Sequence, residues 1–385
     1  MNTLFERLYG HEAQAVYFAP GRVNLIGEHT DYNGGFVFPC AINFGTRLTI
    51  APNQDRCLRF RSVNMEPVVE LPIDQCFAPL PDRCWVNYPL GCIAQLATLA
   101  GGLPMGYDML FEGNVPLGAG LSSSASIEVV TAYAFSCLLG KNLSLIEIAK
   151  VAQHSEHSFA GVQCGIMDQF VAANGRQDHA LFLNCDTLEF MQVPIRLDGV
   201  AIVITNSHSP HRLDSGTYNE RVRACQKAVE CIRKEKEIEY LAQLSPEDFA
   251  RVQHTLTDAE LLRRARHVVS ETQRTREAVQ ALQQGDLNTF GLLMNASHRS
   301  LRDDYEVTGV ELDTLAEAAW QTAGVLGSRM TGGGFGGCTV SLVREDAIEA
   351  FKKQVSRVYT EKTGLTAEFY IARTSDGVHI VRNAN

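Results

Sequence analysis

The chain has 385 residues, of which 45% are apolar and 20% are charged, and 34 basic against 44 acidic side chains give a formal net charge of −10. This length and composition suit two or three domains, or one large α/β unit, with sizeable apolar cores. The net negative charge would repel a polyanion, which argues against nucleic acid as a partner but leaves room for a small phosphorylated ligand at a local site.

The eleven cysteines form no C-x-x-C pair and no Cys/His cluster with the spacing of a zinc site. Several, such as Cys137 and Cys185, lie in apolar runs, which favours reduced, buried thiols over disulfides. The N-terminus lacks the basic and apolar regions of a secretory signal, and no apolar run reaches the length needed to cross a membrane. These features predict a soluble cytoplasmic protein with no membrane partner.

The pattern of apolar and polar residues in the first half of the chain predicts both strands and helices. Alternating apolar and polar residues indicate strands within residues 15–50, at 56–63 and at 105–113. Apolar residues at spacings of three and four indicate a helix that begins at Ser123. Two further helices are expected at 86–99 and 144–159, and glycines at 161 and 165 mark the end of the second.

The second half contains more predicted helix. Strands are expected at 178–185 and 199–207, and helices at 217–235, from 245 onward, at 257–284 and at 286–300. A glycine loop then leads to an alternating strand within 329–343. The change of pattern indicates a domain boundary between 175 and 195. We divide the chain there into an N-terminal domain of residues 1–180 and a C-terminal domain of residues 181–385.

Residues 116–126, PLGAGLSSSAS, lie between a predicted strand and a predicted helix. Glycines let the backbone approach a ligand closely, and the start of a helix offers unpaired N–H groups and the positive end of its dipole. Serine hydroxyls add donors and a possible Mg²⁺ ligand. The segment therefore fits a phosphate-binding loop, although it has no Walker lysine. A tight turn with a serine cap is the alternative.

Residues 20–35 place Arg22, Glu28, His29, Asp31 and Asn33 in one short glycine-containing segment. Carboxylate, imidazole and amide groups can each pair with neighbouring donors and acceptors of a sugar. A polar turn explains the segment about as well, and an E-H-x-D sequence can also ligate a metal. The segment by itself leaves these interpretations open.

Asp168 is a carboxylate among apolar neighbours in the sequence GVQCGIMDQ, just after two glycines. It could be a catalytic group, or an ordinary capping residue in the first turn of a helix.

Residues 330–338, MTGGGFGGC, contain five glycines within positions 332–337. Each glycine costs up to about 1 kcal/mol in chain entropy, which a simple turn would not require. Close approach of the backbone to an anionic or flat ligand explains the loop better than a flexible linker, because apolar residues flank it.

The four segments together resemble the galactokinase family. GRVNLIGEHTDYNGG and CGIMDQF are similar to its signature sequences. VPLGAGLSSSAS and TGGGFGGC resemble motifs of the wider superfamily of galactokinases, homoserine kinases, mevalonate kinases and phosphomevalonate kinases. The resemblance extends from about residue 15 to residue 340, with the segments in the same order as in the family.

The resemblance implies an α+β fold with two lobes. The N-terminal lobe would be similar to a ribosomal-S5-like domain, the C-terminal lobe would be ferredoxin-like, and the active site would lie in the cleft between them. It implies an ATP-dependent kinase that phosphorylates α-D-galactose at the C1 hydroxyl, uses ATP and Mg²⁺, and acts as a monomer.

The resemblance also assigns roles to residues of this sequence. The catalytic carboxylate would be Asp168, and Arg22 would be the arginine that pairs with it. The galactose-binding residues would be Glu28, His29, Thr30, Asp31, Gly165 and Tyr218. ATP would be bound by Gly118, Ala119, Gly120, Leu121, Ser122, Ser123 and Ser124, with Ser62 near the nucleotide. Magnesium would be held by Ser124 and Glu156.

These roles suggest a mechanism. Phosphoryl transfer needs an aligned oxygen nucleophile and stabilisation of the charge on the γ-phosphate. Asp168 would take the proton of the anomeric hydroxyl, and Arg22 would keep Asp168 ionised and stabilise the phosphoryl oxygens. The sequence leaves the shares of base catalysis and electrostatic stabilisation open.

The sequence leaves several alternative functions open. The chain could be a related kinase acting on N-acetylgalactosamine, arabinose or mevalonate, although the EHTDYN segment favours galactose. It could also be a non-catalytic sensor of galactose and ATP, but the serine loop and Asp168 are intact. An ATP-binding structural module would leave the polar segment at 20–35 unexplained.

Overall fold

The computed structural model describes residues 2–82, 84–116, 120–209 and 215–383. The strands in these parts are β1 (Ala15–Asn24), β2 (Phe36–Val37), β3 (Pro39–Asn53), β4 (Cys57–Ser62), β5 (Val69–Pro72), β6 (Gly106–Gly113), β7 (His179–Asn184), β8 (Phe190–Pro194), β9 (Val200–Asn206), β10 (Val325–Thr331), β11 (Cys338–Arg344), β12 (Glu368–Ala372) and β13 (His379–Asn383).

The helices in the same parts are α1 (Asn2–Tyr9), α2 (Asn87–Ala100), α3 (Ser123–Leu138), α4 (Leu145–Ser155), α5 (Met167–Asn174), α6 (Ser215–Ile232), α7 (Pro246–Val252), α8 (Ala259–Gln283), α9 (Leu287–Ser300), α10 (Gly309–Trp320) and α11 (Ile348–Thr363). Two π-helical turns, Glu156–Ala160 and Leu301–Tyr305, follow α4 and α9. No helix of these described segments is long and apolar enough to cross a membrane.

The first sheet has six strands in the order β13-β1-β3-β6-β4-β5, and all its neighbours are antiparallel except β4 and β6. Alternate residues of its strands, such as Leu48 and Ile50, are fully buried beneath helices α2, α3, α4 and α5. This apolar core holds two functional segments in place. The loop before α3 and the start of α5 both lie at the edge of the same helical layer.

Local sequence explains where these helices begin. Helix α3 starts at Ser123, as the apolar spacing predicted. Helix α2 starts at Asn87, which places Pro89 in the first turn, where a backbone N–H has no intrahelical partner to lose. Helix α4 begins with a capping box between Ser144 and Glu147, and the π-helical turn extends it to residue 160, so the predicted helix at 144–159 is confirmed.

The second sheet has four antiparallel strands in the order β10-β11-β9-β12. The succession β9-α10-β10-β11-α11-β12 is a β-α-β-β-α-β unit of the ferredoxin type, with helices α6 to α9 inserted after its first strand. Helices α10 and α11 cover this sheet through Leu315, Phe351 and Tyr359. The predicted α+β fold is confirmed.

A small third sheet, β2-β7-β8, joins a short strand between β1 and β3 to two strands near residue 180. Strand β7 pairs with β2, and the last strand, β13, pairs with β1, so segments near and beyond residue 180 complete sheets formed by the first half of the chain. The division at residue 180 stays a prediction.

Helix α9 packs against β10 through two glycines. A Cβ atom on Gly291 would lie 2.2 Å from the carbonyl oxygen of Leu326, and one on Gly327 would lie 2.4 Å from the carbonyl oxygen of Gly291. Strand β10 leads directly into the glycine loop at 332–337, so this close packing sets the position from which the loop starts.

We expect Gly291→Ala to lower the free energy of unfolding by about 1–3 kcal/mol, because the clash outweighs the gain that alanine normally gives a helix. Urea unfolding measures the change. Gly113→Ala is the matched control, since the nearest atom to its Cβ would be 3.8 Å away. A Gly291→Ala protein as stable as the wild type would contradict this packing.

Candidate active site

A cavity of about 620 Å³ opens where the first helical layer faces the glycine loop. It collects most of the residues that the sequence singled out. Its lining includes Arg22, Glu28, His29, Asp31, Gly120, Leu121, Ser122, Ser123, Ser124, Glu156, Cys164, Gly165, Asp168, Tyr218, Gly332 and Gly333. Two further predicted site residues, Gly118 and Ala119, lie outside the described residues, and Thr30 and Ser62 are not part of this lining.

Arg22 and Asp168, which both line the cavity, form a bidentate ion pair. Arg22 Nε donates to Asp168 Oδ1 over 2.7 Å, and Arg22 Nη2 donates to Oδ2 over 2.5 Å. The guanidinium side chain is 5% exposed, whereas the carboxylate is 26% exposed and open to the cavity. Arg22 lies on β1 and Asp168 in the first turn of α5, so the pair joins two elements that are 146 residues apart.

The serine loop is bonded to the same ion pair. Ser122 Oγ donates to Asp168 Oδ2 over 2.5 Å, and Arg22 Nη1 donates to the carbonyl oxygen of Gly120 over 2.8 Å. Ser122 adopts a left-handed backbone conformation with φ of 64°, and it makes no side-chain cap to α3. The N–H groups at the start of α3 therefore face the cavity side without a side-chain cap, in the arrangement that binds phosphate.

Glu28 is almost fully buried, and its oxygens are largely occupied by protein donors. Oε2 accepts from Asn24 Nδ2 over 2.9 Å, while Oε1 accepts from the backbone N–H of Gly332 over 2.8 Å and pairs with Arg329 Nη1 at 3.4 Å. Glu28 therefore ties the predicted sugar-binding segment to the glycine loop and retains little capacity for a ligand. Thr30 is also buried and donates to backbone carbonyl oxygens of Gly27 and Phe36.

His29 and Asp31 face the cavity from the same segment. Burial lowers the pKa of His29 to about 3, with a further lowering from His267 and a smaller opposing effect of the Gly333 backbone. Burial raises the pKa of Asp31 to about 7, and the neighbouring Asp168 raises it further. His29 is therefore neutral at physiological pH, whereas the carboxyl group of Asp31 titrates near physiological pH.

Gly165 provides the space that Asp31 occupies. A Cβ atom at position 165 would lie 1.8 Å from Asp31 Oδ2, which no side chain tolerates. Tyr218, on α6, closes this side of the cavity, with its ring centroid 5.8 Å from that of His29.

Glu156 lies in the π-helical turn after α4, at the wall of the cavity near the serine loop. Burial raises its pKa to about 7, followed by the charge of Asp168, whereas a hydrogen bond from Ser124 lowers it. Gln169 Nε2 donates to Glu156 Oε2 over 2.5 Å and to the buried Glu128 over 3.2 Å. In the described ranges no group of three or more His, Cys, Asp and Glu residues has metal-binding geometry.

The glycine loop covers the cavity from the second half of the chain. A Cβ atom on Gly332 would lie 3.0 Å from the carbonyl oxygen of Gly120, and one on Gly334 would lie 2.2 Å from that of Val307. The loop thus approaches the backbone of the serine loop at Gly332 and the backbone of Val307 at Gly334. This explains why glycine is required at these positions.

A second cavity, of about 230 Å³, adjoins the first, since Ser123, Ser124 and Tyr88 line both. Ser62 lies in this second cavity, together with the largely apolar residues Trp85, Phe111, Val115 and Ile127. The chain therefore offers a polar cavity and an apolar one on the two sides of the serine loop.

Sequence reasoning missed the buried charges behind the site. Arg329 is fully buried and donates to the carbonyl oxygen of Asn24 over 2.9 Å and to Ser297 Oγ over 3.2 Å. Ser297 in turn donates to Glu271 Oε1, which also accepts from the backbone N–H of Gly27 over 3.0 Å. Its position just before the glycine loop could have marked Arg329 as a candidate site residue, but nothing in the sequence indicates its partners.

Comparison with known proteins identifies the family of the chain. A family model described as the galactokinase galactose-binding signature matches residues 3–52, one for the GHMP kinases N terminal domain matches residues 87–176, and one for the GHMP kinases C terminal region matches residues 278–361. The chain is 48% identical over 369 residues to a galactokinase of Fusobacterium nucleatum, with 95% of each chain covered. It is 49% identical over 366 residues to a galactokinase of Halalkalibacterium halodurans, with 94% of this chain and 92% of the relative covered.

Solved structures indicate the same family. The crystal structure of Lactococcus lactis galactokinase complexed with galactose matches with a TM-score of 0.94 at 40% identity, and 98% of each chain is covered. The mevalonate kinase of Methanococcus jannaschii matches with a TM-score of 0.68 at 19% identity, over 94% of this chain and 99% of that one, which shows a shared fold. The resemblance found in the sequence is confirmed: the chain belongs to the galactokinase family, and it is an ATP-dependent sugar kinase.

Proposed function

We propose that this chain transfers the γ-phosphoryl group of ATP to the C1 hydroxyl of α-D-galactose, giving galactose 1-phosphate and ADP, and that Asp168 and Arg22 are its catalytic residues. The observation that carries this proposal is the Arg22–Asp168 pair, which shares one cavity with the serine loop and with the polar segment that contains His29 and Asp31. The relative in the solved complex binds galactose, which supports the choice of sugar.

The sugar pocket is formed by Glu28, His29, Asp31, Gly165 and Tyr218, which line one side of the larger cavity. Asp31 and His29 line the cavity and can contact a ligand there, whereas Glu28 acts mainly by holding the segment against the glycine loop. Thr30, buried behind them, shapes the turn through its two backbone hydrogen bonds. Carboxylate and imidazole groups at this spacing can match adjacent hydroxyls of a pyranose.

The nucleotide would lie across the serine loop. Its phosphates would bind the N–H groups and hydroxyls of residues 118–124, at the N-terminus of α3. The apolar second cavity, where Ser62 lies beside Trp85 and Ile127, has the character needed to hold a flat adenine ring. Ser123 and Ser124 line both cavities and connect the two parts of this site.

Ser124 and Glu156 fit a magnesium site. Mg²⁺ prefers hard oxygen ligands and is held in kinases by one or two protein groups together with phosphates. Glu156 is a buried carboxylate whose pKa of about 7 reflects burial and the neighbouring Asp168, and Ser124 donates a hydrogen bond to it. A cation there would neutralise charge on the β- and γ-phosphates.

Three residues of the chain then take part in the phosphoryl transfer. Asp168 accepts the proton of the C1 hydroxyl through the carboxylate that faces the cavity. Arg22 holds both oxygens of that carboxylate and adds positive charge where the phosphoryl group passes. Ser122 fixes Asp168 from the nucleotide side, so the base and the phosphate loop keep a constant relative position.

We also propose that the protein acts as a cytoplasmic monomer whose chain divides near residue 180. Light scattering at working concentration tests the oligomeric state.

An assay of ADP release with galactose, glucose, N-acetylgalactosamine and mevalonate tests the function. Galactose should give by far the highest kcat/KM. Sugar-independent or absent ATP turnover would favour a binding protein, and preference for another acceptor would reassign the substrate.

Asp168→Asn should lower kcat by about 10²–10⁴-fold, because an amide cannot accept the proton. Arg22→Ala should also lose kcat by orders of magnitude, and circular dichroism should show both variants folded. Asp198→Asn, at an exposed carboxylate outside the cavity, is the control for steady-state kinetics. Turnover of Asp168→Asn near that of the wild type would remove the base role.

Gly165→Ala should raise the KM for galactose about tenfold or more, because the new methyl group displaces the Asp31 carboxylate. The KM for ATP should stay unchanged in the same assays. In an Asp31→Ala background the added effect of Gly165→Ala should disappear. An undiminished effect in that background would show that the clash is with another group.

Glu156→Gln should raise the Mg²⁺ concentration needed for half-maximal activity by at least about tenfold, because it removes a charged ligand. Calorimetry of Mg·ADP binding provides a second measure that does not depend on turnover. Glu349→Gln, at a side chain that is 87% exposed, serves as the control. Equal Mg²⁺ requirements in the two variants would exclude Glu156 as a ligand.

A further inference from the structure

A line of buried hydroxyl groups runs away from the sugar cavity behind His29. His29 Nδ1 is 2.8 Å from Tyr32 Oη, and Tyr32 Oη is 2.8 Å from Tyr305 Oη. Tyr305 Oη in turn lies 3.2 Å from the Sγ atom of Cys225 on α6. Tyr305 is fully buried at the end of the π-helical turn Leu301–Tyr305, and such turns often occur at functional sites.

Only the first member of this line reaches the cavity. His29 lines it, whereas Tyr32, Tyr305 and Cys225 do not. The rings of Tyr305 and His29 are also in contact, with centroids 4.8 Å apart. Tyr305 is further packed against His267, and its backbone carbonyl accepts from Arg221 Nε over 3.0 Å. These contacts leave the Tyr305 hydroxyl little freedom to move.

The other ring nitrogen of His29, Nε2, has a different environment from Nδ1. Nε2 is buried, and within the described residues no partner reaches it with hydrogen-bond geometry, although the Gly333 backbone lies close enough to the ring to raise the pKa of His29 slightly. A buried polar atom normally has a partner, so an unpaired one on the wall of a cavity indicates a ligand atom at that place. His29 is neutral, so one nitrogen carries a proton and the other accepts.

The hydroxyl line determines which nitrogen carries the proton. Each tyrosine hydroxyl has one proton, so the bonds must all run in one direction. If they run toward His29, the Tyr305 hydroxyl donates to Tyr32, Tyr32 donates to the strong acceptor Nδ1, and the Cys225 thiol donates weakly to Tyr305. If they run the other way, a phenol oxygen must accept from Nδ1–H and a phenol proton ends on sulfur, a weak acceptor. The first direction gives the stronger bonds.

We propose that Tyr32 and Tyr305 are positioning residues that hold His29 with its proton on Nε2, so that His29 donates a hydrogen bond to an oxygen atom of the bound sugar. This inference rests on the proposed sugar site. The bond made by one ring nitrogen of a histidine sets the state of the other, and here that bond is made by Tyr32. Tyr305 acts one step further back, because it orients the Tyr32 hydroxyl.

Nitrogen-15 NMR of the sugar-free protein tests the tautomer directly. We expect the His29 signals at pH 7.5, assigned by their loss in His29→Gln, to show a bare Nδ1 and a protonated Nε2. Tyr32→Phe should shift them toward a mixture of tautomers, and Tyr305→Phe should do so less strongly. A wild-type His29 with its proton on Nδ1 would overturn the proposal. This readout needs no sugar, so it is independent of whether galactose is the substrate.

Steady-state kinetics tests the consequence for the sugar. Loss of one hydrogen bond should raise the KM for galactose about threefold to tenfold in Tyr32→Phe, and less in Tyr305→Phe, while the KM for ATP is unchanged. Tyr359→Phe is the matched control, because Tyr359 is fully buried and its hydroxyl donates to the carbonyl oxygen of Ser207 over 2.7 Å, away from the cavity. An equal rise in KM in this control would mean that the effect is one of general stability.

Deoxy and deoxyfluoro galactoses identify the direction of the bond. Fluorine can accept a weak hydrogen bond but cannot donate one, and hydrogen does neither. At the one sugar position that contacts His29, we expect the fluoro analogue to bind more tightly than the deoxy analogue in the wild type, and this difference to shrink in Tyr32→Phe. A sugar position where neither analogue responds to Tyr32→Phe is not the contact. If no position responds, His29 does not donate to the sugar.

Discussion

The ion pair between Arg22 and Asp168 is the contact on which the site depends. It joins β1 to the first turn of α5, and both partners are bonded to the serine loop as well, through Gly120 and Ser122. The proton acceptor, the positive charge and the phosphate loop therefore cannot move independently. Removing the Asp168 carboxylate would leave the buried Arg22 guanidinium without its counter-charge, which is costly in the protein interior.

The cavity concentrates negative charge around this pair. Asp31 and Glu156 both have a pKa near 7, in each case because of burial first and of Asp168 second. Burial of these two carboxyl groups next to Asp168 lowers the stability of the protein without its ligands. Groups with such strongly shifted pKa values are typical of functional sites. Sugar hydroxyls beside Asp31 and a cation beside Glu156 would each relieve part of the cost, which links folding of the site to binding of its proposed ligands.

The second half of the chain shapes the sugar pocket mostly from behind. Arg329 and Glu271 are buried and hold the Gly27–Glu28 turn through Asn24, Glu28 and the backbone of Gly27. Gly332 donates to Glu28 from the glycine loop, and Tyr305 supports His29 through Tyr32. The pocket is thus formed by a short segment near the N-terminus, but its geometry is imposed by residues 244 to 305 positions later in the chain.

The sequence alone determined the family of the protein and many of its elements before residue 343, whereas it gave no prediction for α1, α10, α11 or β12. The start of α3 at Ser123 follows from apolar spacing, the local pattern predicts the helix at 144–159, and the family follows from four motifs in order. These features are local, so they can be read along the chain. Tertiary structure decided what depends on contacts between distant residues: that Glu28 is occupied by protein donors and that Thr30 lies behind the wall. It also decided that Gly165 is small because Asp31 fills the space beside it, and that Arg329 and Tyr305 support the pocket. No pattern along the sequence encodes which side chains meet across a cavity, because that depends on how the sheets and helices pack.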